Sequence, residues 1–111
     1  MKETFIAAFK AIQKDVHDTA KSKGWWDTDR NDGEMIALIH SELSEALEAL
    51  RNGNPPSDKI PPFTNLEEEF ADAIIRIMDT AYVRGLDVGA AILAKASYNK
   101  SRPKMHGGKK F

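Results

Sequence analysis

Apolar residues recur at helical spacing in four stretches of this chain, separated by short polar segments in which glycine and proline concentrate. Phe5, Ile6, Phe9, Ile12 and Val16 predict a first helix over residues 3–23, ended by Gly24, and WWDTDRNDG reads as a turn-rich connector. A second helix is expected from Gly33 to Arg51, where NGNPP stops it. Residues 52–64 carry four of the five prolines and read as a loop. Asn65 is the expected cap of a third helix over 66–84, which Gly85 closes. A fourth begins near Asp87 and cannot continue normally past Pro103. Four helices and no strand pattern predict a single all-α, four-helix-bundle-like domain over 1–111, with a basic C-terminal segment at about 100–111.

The second and third helices have unusual faces. At about 100° per residue, Met35, Leu38, Ala46 and Ala49 all fall within about 40° of Glu42. Glu42 therefore sits inside an apolar stripe and Glu45 at its edge, while Glu48 and Arg51 rotate towards water. The third helix is apolar around most of its circumference, through Phe70, Ala73, Ile74, Ile75, Ile77, Met78, Ala81 and Tyr82. Its polar stripe is narrow: Glu69, Asp72, Arg76 and Asp79. A helix so apolar is expected to be central or covered by another subunit.

Composition narrows the classes of partner. A net charge of −1 offers no global attraction to DNA or an anionic membrane, so no nucleic-acid or membrane partner is expected. The absence of cysteine excludes disulfides and thiolate metal sites. No apolar run approaches the ~18 residues of a membrane span, and MKETFIAAFK lacks a secretory cleavage pattern, so a cytoplasmic location is expected.

The candidate chemistry lies in two acid-x-x-acid steps, Glu42/Glu45 and Glu69/Asp72. On a helix each step puts both carboxylates on one face about one turn apart. Four carboxylates inside a bundle repel each other and lose hydration unless a cation offsets them, which makes them candidate ligands for a hard divalent ion. Two other readings remain: solvated faces, or neutralisation by Arg76 and the lysines. A di-iron carboxylate bundle is disfavoured because the chain has no Glu-x-x-His step, and His17 and His40 are poorly placed as ligands. Ser41 and Ser44 lack the strand-turn-helix elbow of a nucleophilic serine.

At these residues the chain resembles the MazG-like nucleoside triphosphate pyrophosphohydrolases of the all-α NTP pyrophosphatase group. Their motif is Glu-x-x-Glu on one helix, a variable connector, then Glu-x-x-Asp on the next, read here as Glu42, Glu45, Glu69 and Asp72. The resemblance spans roughly residues 24–110, including GWW and the ending KASYNKSRPKMHGGKKF. Where the family often carries a further Glu, this chain has Ser41, and Glu48, Glu68 or Asp79 are the candidate substitutes. The resemblance implies catalytic and metal-binding roles for the four motif acids, with Mg2+ as cofactor and Mn2+ as an alternative. It implies cleavage of an NTP, with deoxynucleotides preferred, to monophosphate and pyrophosphate, removing unwanted or excess nucleotides. It also implies a homodimer or homotetramer.

From Lys95 onward the chain carries Lys95, Lys100, Arg102, Lys104, Lys109 and Lys110 and no acid. Lys95, Asn99 and Arg102 are spaced i, i+4, i+7 and share a face if the helix persists, where they are candidate substrate-phosphate ligands. HGGK is a candidate flap over the ligand, or part of a frayed basic tail. Trp25 and Trp26 are candidate nucleobase platforms, although one of them is expected to anchor the first helix. The competing class is a non-enzymatic helical interaction or regulatory module, which metal-dependent release of pyrophosphate would distinguish.

Overall fold

The structure is a computed structural model that describes residues 1–103. It contains α1 (Lys2–Ser22), α2 (Asp32–Arg51), α3 (Asn65–Arg84) and α4 (Val88–Lys100), with no strand among the described residues beyond an isolated bridge between Pro56 and Thr64. Helix α3 is the hub: it packs along α2 on one side and α1 on the other, and α4 closes against α1. None of these helices is long and apolar enough to cross a membrane.

Local chemistry sets the element ends. Asn31 Oδ1 accepts the Glu34 N–H at 2.8 Å and starts α2. The cap of α3 is Thr64, where the sequence suggests Asn65. The Thr64 hydroxyl accepts the Glu67 N–H at 3.2 Å, and the Glu67 carboxylate accepts the Thr64 N–H at 3.0 Å. This reciprocal box satisfies two otherwise orphaned donors, so it fixes the start one residue earlier. Asn65 becomes the first helical residue, and its N–H donates to the Pro55 carbonyl at 2.9 Å. Gly85 ends α3 in the left-handed region at φ +68°, and Asp87 then caps α4.

The core is small. Its buried apolar residues are Phe9, Met35, Ala46, Ala49, Ala73, Met78 and Ala81. Short alanines allow the helix axes to approach closely. Phe9 packs against Gly89, where an added Cβ would lie 3.0 Å from the ring, so α1 and α4 meet at a position that only glycine fits without adjustment.

The loop between α2 and α3 is tightly tethered. Ser57 is 2% exposed. Its hydroxyl donates to Glu68 on α3 while its oxygen accepts the N–H groups of Lys59 and Ile60 at 3.1 and 3.0 Å. Asn54 Oδ1 accepts the Leu66 N–H at 2.9 Å, tying the loop to the first turn of the same helix.

The orientation of α3 inverts the usual amphipathic plan. Its polar stripe, Glu69, Asp72, Arg76 and Asp79, lines a cavity open to solvent, whereas Phe70, Ile74 and Ile77 are exposed about 160° round the helix from Asp72. On α2, Ile36, Leu43, Leu47 and Leu50 form a second exposed apolar stripe, about 110° from Glu42.

Candidate metal centre

Helices α2 and α3 bring Glu42, Glu69 and Asp72 together, with one carboxylate oxygen from each lying within 4.8 Å of the others. The i, i+3 spacing on α3 puts Glu69 and Asp72 one above the other. Packing against the apolar stripe of α2 then aims both at Glu42. Among the described residues no other group of three His, Asp or Glu side chains converges in this way. Glu45 is exposed and lines the rim of the same cavity without joining the trio.

The cavity is a cleft open to solvent, with a volume of about 490 Å³. Its wall presents five carboxylates, Glu42, Glu45, Glu69, Asp72 and Asp79, against two cations, Lys59 and Arg76. Arg76 is partly consumed: its Nε donates to Glu42 Oε1 at 2.9 Å, and its guanidinium lies over the Trp25 ring at 4.5 Å. One oxygen of Glu42 is thereby held.

The excess of acid is visible in the proton affinities. Burial pushes the Glu69 carboxyl up to about 7, helped by a hydrogen bond shared with Glu42 and by the charges of Asp72, Glu42 and Glu68. Asp72 is raised for the same leading reason, burial, and then by Glu42 and Glu68, with Lys59 and Arg76 partly opposing. Without another cation the cluster retains a proton near neutrality. Its donors are all hard oxygens, which suit Mg2+ or Mn2+.

The two tryptophans divide their roles. Trp26 is the anchor: its Nε1–H donates to both oxygens of Asp79, at 3.0 and 2.9 Å. Asp79 also bonds His17 Nδ1 at 2.8 Å, and the His17 ring stacks on Tyr82 with centroids 4.6 Å apart. His17 thus belongs to a node joining α1, α3 and the α1–α2 connector, while His40 is exposed. Trp25 is more exposed, lines the cavity and carries Arg76 and Arg30 over its ring.

The candidate substitutes for a further motif acid are engaged elsewhere. Glu68 accepts from Ser57, Asp79 is held by Trp26 and His17, and Glu48 is exposed beside Arg51 at 3.6 Å. Ser41 donates to the Leu38 carbonyl of its own helix at 2.6 Å.

The basic residues of α4 do not reach the carboxylates within one chain. Lys95 and Asn99 line a separate, mostly apolar groove with Val88 and Ile92. The helix ends at Lys100, so Arg102 falls beyond it, and Lys95 and Arg102 both turn towards the Tyr98 ring, at 4.7 and 5.8 Å. The expected roles of Lys104 and HGGK lie outside the described residues. Lys59 escaped sequence reasoning, although it lies in the loop joining the two acidic motifs, which must return to the carboxylates it connects.

Comparison with protein-family models, curated proteins and solved structures finds no match to this chain.

Proposed function

We propose that this chain is a Mg2+-dependent nucleoside triphosphate pyrophosphohydrolase acting on NTPs, deoxynucleotides above all. The observation that carries the reading is the convergence of Glu42, Glu69 and Asp72 in a cavity whose acids outnumber its cations. Those residues would hold the metal, with Glu45 available at the rim. Mg2+ held there would offset charge on the triphosphate and make a water more acidic. The chain's own part is to orient: Arg76 holds one oxygen of Glu42, and Trp25, with Arg76 and Arg30 over its ring, borders the end of the cleft where a base would lie. Mn2+ is expected to substitute. The exposed apolar stripes on α2 and α3 favour a homodimer or homotetramer.

A panel of NTPs and dNTPs incubated with Mg2+ tests the reading, with monophosphate and pyrophosphate quantified together. At least one nucleotide should yield both in equal amounts, and Glu69→Gln or Asp72→Asn should lower the rate by ~100-fold or more while helicity is retained. A folded chain that releases neither product with Mg2+ or Mn2+ would overturn the proposal and leave the interaction module.

A further inference from the structure

The cavity has two unlike ends. Along α3 it runs from Glu69 to Asp79, ten residues or about 15 Å of helix. At the Asp79 end its wall is shared with the small pocket of Trp25, Trp26 and Arg30. At the Glu69 end it continues into the groove beneath the α2–α3 loop, with Lys59 and Glu45 common to both.

We propose that Lys59 is a phosphate-binding residue, which engages the terminal phosphates of a triphosphate whose base lies at Trp25. This rests on the pyrophosphohydrolase reading and adds to it a direction for the substrate and a ligand on the loop. Three observations carry it. First, Lys59 and Arg76 are the two cations that line the cavity among the described residues, and Arg76 is already bonded to Glu42 and stacked on Trp25. Second, the Lys59 ammonium is uncommitted: its side chain is 84% exposed, and its contact with Glu68 is 3.9 Å long. Glu68 is largely buried and already accepts from Ser57, so a contact this long to a solvated ammonium is weak, and little is lost when the head swings to a phosphate. Third, the backbone beneath it is fixed, because buried Ser57 accepts the Lys59 N–H and is bonded to Glu68. With the backbone already fixed, binding a polyphosphate orders only the lysine side chain and not the loop.

Calorimetric titration with Mg2+-pyrophosphate and, separately, Mg2+ with a nucleoside monophosphate tests the assignment, alongside steady-state hydrolysis. Lys59→Ala should weaken pyrophosphate binding by about tenfold or more and raise KM for the triphosphate by a similar factor. Monophosphate affinity should change by less than about twofold, and Lys59→Arg should restore most of the loss. The inference is overturned if pyrophosphate binds equally to the unaltered chain and Lys59→Ala, binds to neither, or weakens only in step with the monophosphate. Failure of the unaltered chain to hydrolyse any nucleotide would instead overturn the enzymatic reading, whatever the pyrophosphate titration gives.

Discussion

Glu69 shows how position changes the chemistry of a residue. An ordinary glutamate releases its proton near 4.3, whereas Glu69 in the metal-free fold holds it up to about 7, because burial and then Glu42, Asp72 and Glu68 oppose its charge. Between those two values the folded state binds more protons than the unfolded one. Stability contributed at this residue is therefore full below the unfolded value, declines as pH rises through the window, and is level above about 7. Asp72 acts in the same direction. A divalent ion competes with that proton. Thermal melts should therefore show the metal-free chain losing stability between about pH 5 and 7, with a larger rise in Tm on adding Mg2+ at pH 8 than at pH 5.5. Glu69→Gln should flatten the first slope and remove most of the Mg2+ effect; an unchanged profile would remove Glu69 from the cluster. Periodicity alone made the inward position of Glu42 legible. The shift at Glu69 was not legible, because it arises from partners on another helix.

At the scale of elements, α1 is held to the rest through the connector that follows it. Trp26 donates to both oxygens of a part-buried Asp79, and His17 bonds the same carboxylate from α1. Trp26→Phe keeps most of the ring but leaves Asp79 short of its donor, and should cost ~1–3 kcal/mol of stability in denaturant unfolding at fixed protein concentration. A loss well under ~0.5 kcal/mol would mean that the node does not hold α1 in place. The helices themselves were readable in the sequence, because spacing, Gly85 and the proline-rich loop are local signals. The start of α3 lies one residue before the position the sequence suggests, since Asn65 and Thr64 are both good caps and only the return bond from Glu67 decides between them. Trp25 and Trp26 are neighbours in sequence, and the sequence could assign neither as anchor, because the deciding partner lies 53 residues away in Asp79. Ser57 and Lys59 escaped notice for the same reason: the loop becomes part of the cavity only when it closes on Glu68.

The whole molecule turns its polar stripe inward and much of its apolar surface outward. Phe70, Ile74 and Ile77 on α3, and Ile36, Leu43, Leu47 and Leu50 on α2, are all more than a third exposed. A chain of 111 residues has limited core to spare, so leaving two such stripes in water is unfavourable. The cleft takes one face of α3 for Glu69, Asp72 and Arg76, with Ile75 beside them and Met78 in the core, while Phe70, Ile74 and Ile77 lie on the face away from it. Association with a second copy would bury them without disturbing the carboxylates, because the two faces lie on opposite sides of the same helix. Sedimentation velocity at micromolar concentration should therefore show a dimer or tetramer. Ile74→Glu places a charge in the centre of the exposed α3 stripe, far round the helix from Asp72, and should weaken association by ~100-fold or more while helicity persists. A monomeric unaltered chain, or an Ile74→Glu variant that assembles as well as its parent, would show that these stripes do not meet one another.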